Sequence, residues 1–230
     1  MIVVVGLPAY ADAPDGERCA GGLAVEVAAA AVRRGGTVEL VGKIGSDGTG
    51  DAVVVALGRM GVGHAALVRD PVLPTPVLAP EPIDDDAGAP ETVAAAASGA
   101  EPAAGTVGPR LLPDDAASRP GLEAADVDLA LEFLPPATVV VLAGPLPDSA
   151  ITAAASGASF TGARLIVIVP PGTLIPQLPA EATVLEMPPD DDGSFGRMAG
   201  TYAGALEAGL APADAFREAV SASGWEPVAD

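Results

Sequence analysis

The chain has 230 residues and a net charge of −20, so it is long enough for one sizeable core, and its acidity disfavours nucleic acid and anionic membranes as partners. Half of the residues are hydrophobic, mostly Ala and Val, and only 3% are aromatic. One cysteine and one histidine exclude an internal disulfide and a His/Cys zinc site, and since no apolar run approaches the roughly 18 residues of a membrane span, we expect a soluble cytoplasmic protein.

The N-terminal part alternates segments typical of strands with segments typical of helices. The pattern predicts, in order, a buried strand at 1–6, a polar loop at 7–19, a helix at 20–34, a strand at 37–45 and a helix at 52–61. Arg33 and Arg34 stand in the last turn of the first helix, where positive charge suits the helix dipole. This strand–helix alternation predicts a parallel sheet covered by helices.

The middle of the chain has a different composition. Residues 65–90 hold short apolar pieces separated by Pro, which favour edge strands or a flap, and we call them the lid segment. Residues 87–120 are rich in Ala, Gly, Pro and Ser, a composition typical of loops, with one short helix.

Regular patterns return at Leu122. They predict a helix at 122–134, a strand at 138–147, a helix at 149–158, strands at 163–172 and 183–189, and a final helix pair at 197–209 and 211–224. Gly209 is placed to end the first helix of this pair and Pro212 to begin the second.

The most specific motif lies between Leu40 and Asp51. Gly42, Gly45, Asp47 and Gly50 follow G-x-x-G-x-D-x-x-G spacing directly after a predicted strand. The glycines permit tight backbone paths, and the Asp47 carboxylate can accept hydrogen bonds from N–H groups of the turn. This spacing indicates a structural turn, with a contact between Asp47 and a ligand as the alternative.

In its order of elements the chain resembles the ribokinase-like (PfkB) carbohydrate kinases. The Asp47 motif, the lid segment, the central strands and the last helices carry this resemblance over most of the chain. It implies an α/β fold, a three-layer Rossmann-like sheet flanked by helices, in a single domain over 1–230. It also implies a small β-flap that closes over a sugar and pairs two subunits into a homodimer.

The resemblance implies a substrate cleft whose side chains hold sugar hydroxyls. The family usually has an Asp after the first strand's Gly, where this chain has Leu7, and a second Asn where this chain has Glu26. The family's Gly-Gly-x-Asn element reads Gly-Gly-Leu-Ala here. The cleft candidates are Asp12, Gly21, Gly22, Gly42 and Asp47, with Asp15 beside Asp12 as a further carboxylate.

The family's catalytic signature, Asp-Thr-x-Gly-Ala-Gly-Asp, matches residues 190–196. Its glycine-rich turn is an anion hole for the transferred phosphoryl group, and its last Asp is the general base. The corresponding anion-hole residues are Gly193, Ser194, Phe195 and Gly196. Gly196 stands at the base position, so we expect no catalytic residue there, and we expect Phe195 to add bulk at the phosphoryl site.

The interval before this turn is also short. In the family a long segment between the last matching strand and the anion hole supplies an Asn-x-x-Glu element for Mg²⁺ and phosphate, and borders the adenine. That segment is almost absent here. Losing a general base alone typically costs about 10²–10⁴-fold in rate.

These departures lead to three hypotheses. The first is a catalytically degenerate protein, a pseudokinase that binds a small polyol, sugar or nucleoside or acts as a regulatory protein, and that needs no cofactor or metal. The second is an active, atypical sugar or nucleoside kinase that uses ATP and Mg²⁺, with Asp190, Asp191 or Asp192 as the base. The third is a structural dimer with no ligand.

The remaining polar candidates have ordinary interpretations. Lys43 is read as a solvated side chain, with a phosphate ligand as the alternative. His64 is read as a packing residue and Cys19 as a plain buried thiol. The runs Asp84–Asp86 and Asp190–Asp192 are read as solvated loops, with a divalent cation site as the alternative.

Overall fold

The computed structural model describes residues 1–12, 18–78, 118–188 and 193–223. The strands are β1 (Ile2–Gly6), β2 (Ala9–Asp12), β3 (Arg18–Gly21), β4 (Val38–Gly45), β5 (Leu67–Asp70), β6 (Val139–Ala143), β7 (Arg164–Val169) and β8 (Thr183–Glu186). The helices are α1 (Leu23–Arg33), α2 (Gly48–Arg59), α3 (Ala124–Phe133), α4 (Asp148–Thr161), α5 (Ser194–Glu207) and α6 (Pro212–Ser223).

Six strands form one parallel sheet in the order β5–β4–β1–β6–β7–β8. The central strands are runs of Val, Ile and Leu because helices cover the sheet on both faces and leave no solvated side. β1 illustrates this, since all five of its residues are buried.

The side chains of β1 alternate between two cores. Ile2 and Val4 point into the core formed with α1, α2, α5 and α6, and Val3 and Val5 point into the core formed with α3 and α4. The molecule therefore has three layers, as the sequence predicts.

The predicted elements from 20–61 and from 122–224 are present, with ends shifted by a few residues. Gly209 follows the end of α5 with φ of 90°, and Pro212 is the first residue of α6. Both terminal signals were predicted correctly.

The prediction of a loop at 7–19 is wrong. β2 and β3 form an antiparallel pair there, with Ala9 opposite Gly21 and Asp12 opposite Arg18. Their sequences, Ala-Tyr-Ala-Asp and Arg-Cys-Ala-Gly, contain no β-branched residue, which is the usual signal of a strand. The pairing depends on tertiary packing, since Ala9 and Ala11 form a small core with Leu78.

The lid segment is described as far as Leu78. β5 joins the main sheet as its edge strand beside β4. Farther along, Val77 forms a parallel bridge with Tyr10 of β2. The rest of the lid segment, with Asp84–Asp86, lies outside the described residues, as do most of residues 87–120.

Within the described ranges, no helix has the length and apolar character needed to cross a bilayer.

Candidate functional site

The carboxyl ends of the parallel strands meet the amino ends of three helices at one edge of the sheet. β1 ends at Gly6 and β4 ends at Gly45, while Gly22, Asp47 and Gly193 precede α1, α2 and α5. Ligands of open α/β sheets bind in the crevice at this edge. It is therefore the candidate functional site.

The predicted anion-hole residues form the first turn of α5. Gly193 is the N-cap, with φ of 85°, a left-handed conformation that favours glycine. Gly193, Phe195 and Gly196 are buried and Ser194 is half-buried. The amino end of an α-helix carries about half a positive charge, so this turn has the electrostatic character of an anion site.

Phe195 does not project outward from this turn. Its side chain is 1% exposed and belongs to the core between the sheet and the helices α1, α2, α5 and α6. Its bulk is accommodated among core side chains such as Met198 and Ala199. This placement differs from the expectation that Phe195 fills the phosphoryl position.

The carboxylate of Glu26 approaches the first turn of α5 instead. A Cβ added to Gly196 would lie 2.6 Å from Oε2 of Glu26, and one added to Gly193 would lie 3.5 Å from the same oxygen. Glu26 extends from the first turn of α1 and is half-buried. A negative charge from α1 therefore lies beside the positive end of α5.

α1 and α5 approach closely along a series of glycines. Gly196, Gly200 and Gly204 recur at every fourth position and share one face of α5. A Cβ on Gly200 would overlap the carbonyl oxygen of Val27, and one on Gly204 would lie 2.8 Å from Cγ of Arg34. The glycine at position 196 therefore also belongs to a packing surface.

This surface was missed in the sequence, although its signal is visible. Glycines four residues apart on a helix permit close helix–helix contact, and the spacing 196, 200, 204 stands in the printed sequence. The pattern is best known from membrane helices, and this sequence has no apolar span long enough to suggest one.

Asp47 is held entirely by protein groups. Its Oδ1 accepts hydrogen bonds from the Gly50 N–H and the Thr75 hydroxyl, both at 2.7 Å, and its Oδ2 accepts from the Thr75 N–H at 2.8 Å. Thr75 is 3% exposed, and its hydroxyl accepts a hydrogen bond from the Gly45 N–H at 3.0 Å. Asp47 thus caps α2 and fastens the lid segment to the end of β4.

Two carboxylates in this region have lowered pKa values. Partial burial opposes the ionisation of Asp47, but hydrogen bonds from Thr75 and Gly50 outweigh it and lower the pKa of Asp47. Hydrogen bonds from the N–H groups of Leu73 and Val72 lower the pKa of Asp70. Both groups act as acceptors that order the chain after β4 and β5.

The glycines predicted to line the cleft lie where other atoms of the protein approach their backbone closely. A Cβ on Gly42 would stand 2.6 Å from the Gly6 carbonyl oxygen, and one on Gly21 would stand 2.9 Å from Cβ of Ala11. Gly22 is the N-cap of α1, with φ of 92°. Asp12 is the last residue of β2, and Asp15 lies outside the described residues.

The other polar candidates have protein partners. Lys43 forms an ion pair with Asp126 of α3 at 3.2 Å, so it is neither solvated nor directed to a ligand. The Cys19 thiol donates to the Ala11 carbonyl at 3.0 Å, and Nδ1 of His64 lies 3.2 Å from the Val62 carbonyl. Across the described ranges, no group of three His, Cys, Asp or Glu side chains has the arrangement of a metal site.

Comparison with known proteins shows which solved structures share this architecture. No family model matches the chain, and no curated protein is similar to it. Among solved structures it is similar to a "putative Ribokinase II" from E. coli, with a TM-score of 0.62 and 12% identity over 96% of this chain and 91% of that chain. The fold is ribokinase-like. A "putative ribokinase" from Agrobacterium tumefaciens has a TM-score of 0.58 and 15% identity, over 96% of this chain and 89% of that one.

Larger ribokinase-like structures are covered only in part. An uncharacterized sugar kinase from Pyrococcus horikoshii aligns with a TM-score of 0.47 and 19% identity, over 75% of this chain and 53% of that chain. The chain therefore spans about half the length of that kinase. The ribokinase-like fold predicted from the sequence is confirmed, and the predicted site residues stay predictions.

Proposed function

We propose that the chain is a ribokinase-like protein that binds a small polyol, sugar or nucleoside and does not transfer a phosphoryl group. Neither ATP nor Mg²⁺ is required for this role, and two copies pair through the lid segment. The single observation that carries the proposal is the Glu26 carboxylate at the amino end of α5.

The electrostatic argument starts from that helix end. An anion hole stabilises a phosphoryl group because the first N–H groups of a helix point at it and the helix dipole favours negative charge. Two like charges at 4 Å repel by about 4 kcal/mol at an effective dielectric constant of about 20. A phosphoryl group at α5 would meet this repulsion from Glu26, offset in part by Arg197, whose Nη1 lies 3.4 Å from the point where a Cβ on Gly193 would stand.

The residue at position 196 adds to the argument. Gly196 has no side chain to accept a proton, and the space beside it holds the Glu26 carboxylate. In a ribokinase-like enzyme, the loss of a general base alone lowers the rate by about 10²–10⁴-fold. The missing base and the repelled phosphoryl group act on the same step, so their effects reinforce each other.

The part of the candidate site formed by β1, β4 and α1 supports ligand binding without catalysis. The carboxyl ends of β1 and β4 and the amino end of α1 remain as a crevice edge. The lid segment is anchored there through Thr75 to Asp47. A small neutral ligand such as a polyol meets no charge repulsion at this edge.

A thermal-shift screen of sugars, polyols and nucleosides, run with and without Mg-ATP, tests the proposal. We expect at least one compound to raise Tm in proportion to the logarithm of its concentration, with no further rise on adding Mg-ATP and no ADP formed. A compound that is converted to its phosphate ester would contradict the proposal.

One observation favours an active kinase as the second candidate function. The "putative Ribokinase II" from E. coli has also been solved with ATP and Mg²⁺, at a TM-score of 0.61 and 13% identity. A carboxylate is present beside α5, supplied by Glu26 from α1 instead of by residue 196. In this alternative Glu26 takes the hydroxyl proton, or one of Asp190–Asp192 does so.

The two candidates differ in the effect of Glu26→Gln. An active kinase that uses Glu26 as its base loses about 10²–10⁴-fold in ADP formation with this variant, whereas Glu132→Gln, an exposed change on α3, leaves the rate unchanged. Loss of activity in Asp192→Ala instead identifies the aspartate run as the base. If neither the unaltered chain nor any of these variants forms ADP, the result fits the first candidate.

A further inference from the structure

A pocket of about 250 Å³ lies between α1, α5 and the last turn of α6. Arg33 and Arg34 line it from the end of α1, Arg197 from the first turn of α5, Thr201 from the middle of α5, and Ser223 from α6. Arg33 lies seven residues after Glu26, or about 10 Å along a helix that rises 1.5 Å per residue. The α1 side of the pocket therefore lies away from Glu26, whereas its α5 side reaches the first turn of α5, where Nη1 of Arg197 lies 3.4 Å from the point where a Cβ on Gly193 would stand.

The charge at this pocket is opposite to that of the chain. The protein has 31 Asp and Glu but only 11 Lys and Arg, and three of those cations line one pocket. Like charges brought together repel each other, so an acidic chain has no electrostatic reason to gather its few arginines without a counter-charge.

Within the part of the chain that the structure describes, Arg34 is the one of these three arginines with a carboxylate partner. Arg34 forms a two-pronged ion pair with Glu218 of α6, through Nε and, at 3.3 Å, through Nη2. This hydrogen bond raises the pKa of Arg34. Arg33 and Arg197 have no carboxylate partner among the described residues. The guanidinium groups of Arg33 and Arg197 therefore line the pocket without an ion pair to a described residue, with the Glu26 carboxylate near Arg197 at the amino end of α5.

The size and donors of the pocket define the ligand class. Pockets for drug-sized molecules measure roughly 300–1,000 Å³, so this pocket suits a smaller ligand. Guanidinium groups present planar N–H pairs that match the oxygens of phosphate. The hydroxyl of Thr201 donates to the Arg197 carbonyl at 2.8 Å, which leaves the arginines as the main donors.

We propose that this α1–α5–α6 pocket binds phosphate or a compact phosphate monoester, held by Arg33 and Arg197 with Arg34 fixed between them by Glu218. The ligand supplies a counter-charge that the described residues do not. This proposal does not rest on the proposed function, because the pocket lining includes neither Glu26 nor Gly193, although Arg197 lies close to both at the first turn of α5.

Calorimetric titration of the full chain with sodium phosphate, at ionic strength held constant with sodium chloride, tests the proposal. We expect saturable binding, and we expect Arg33→Gln and Arg197→Gln each to weaken it about tenfold or more, the effect of losing a charge-assisted hydrogen bond. Arg164→Gln is the matched control, since Arg164 is exposed at the start of β7 and does not line the pocket. A parallel titration with glycerol phosphate distinguishes the free ion from an ester.

Arg33 and Arg197 are exposed, so both variants should keep the fold, which circular dichroism and Tm verify. Heats that do not saturate, or binding that is equal in Arg33→Gln and the unaltered chain, would overturn the proposal. If phosphate binds the Arg33→Gln variant with unchanged affinity and binds the Glu26→Gln variant more tightly, the anion lies at the amino end of α5. This result would also overturn the proposal.

Discussion

The carboxylate of Glu26 and the missing side chain of Gly196 share one position in space. Oε2 of Glu26 lies 2.6 Å from the point where a Cβ on residue 196 would stand, and Cβ of Glu26 lies 3.0 Å from it. α1 and α5 therefore leave room for one side chain at this level and not for two. The identities of residues 26 and 196 are coupled by packing as well as by charge.

This coupling predicts the outcome of introducing a carboxylate at position 196. Gly196→Asp should destabilise the protein by about 1–3 kcal/mol, because the new side chain overpacks the contact and brings a second carboxylate beside Glu26. Glu26→Ala in the same chain should recover part of that loss. Urea unfolding of both single variants and the double variant measures the coupling energy.

The control for this cycle is Gly196→Asp combined with Glu132→Ala, since Glu132 is exposed on α3 and touches neither helix end. Distant sites add within about 0.3–0.5 kcal/mol. If the effects of Gly196→Asp and Glu26→Ala add equally well, the two side chains do not compete for space. That result would contradict the coupling between residues 26 and 196.

The glycine surface of α5 predicts opposite effects for two similar substitutions. Gly200→Ala should destabilise the protein by about 1–3 kcal/mol, because its Cβ meets the Val27 carbonyl oxygen, which is backbone and cannot turn away. Gly58→Ala on α2 should stabilise by about 0.5–1 kcal/mol, because Gly58 is exposed and its Cβ would stand 3.6 Å from His64.

Thermal unfolding of these two variants checks the prediction. Both replace a helical glycine by alanine and gain the same helix propensity, so the difference in Tm reports the contact with α1. A Gly200→Ala protein as stable as Gly58→Ala would mean that α1 moves away without cost.

Asp47 predicts a specific dependence of stability on pH. Its pKa is lower in the folded protein than in the unfolded chain, so its contribution to stability is present above the unfolded pKa of about 3.9 and is lost as pH falls through the folded value. Asp47→Asn should destabilise by about 1–3 kcal/mol near neutral pH, since one acceptor facing Thr75 or Gly50 becomes a donor.

The difference in unfolding free energy between the unaltered chain and Asp47→Asn should therefore shrink as pH falls from about 6 to about 3. Asp128→Asn, an exposed change on α3, serves as the matched control. A difference for Asp47→Asn that stays constant across this range would show that the carboxylate charge is not what anchors the lid segment.

The sequence predicted the layers of the fold well because the main strands and helices have strong local patterns. The run from Ile2 to Val5 is apolar throughout, as a strand covered on both faces must be. β2 and β3 could not be predicted in this way, since Ala9 and Ala11 are buried by contact with Leu78, a residue far along the chain.

The contacts of Asp47 and Glu26 were predicted only in part. Asp47 was predicted to hold its own turn, and the structure adds Thr75, whose part depends on the path of the lid segment. The approach of Glu26 to α5 depends on how two helices separated by more than 150 residues pack. No local pattern contains that information.

Titration of Mg-ATP into the full chain tests the central claim, that the Glu26 carboxylate at α5 replaces the phosphoryl group for which a ribokinase-like site is built. We predict no binding heat up to about 1 mM nucleotide, the concentration at which even a weak site of about −4 kcal/mol would be half filled. Micromolar affinity, with ADP formed in the presence of a sugar or nucleoside, would contradict the claim and identify the protein as a working kinase.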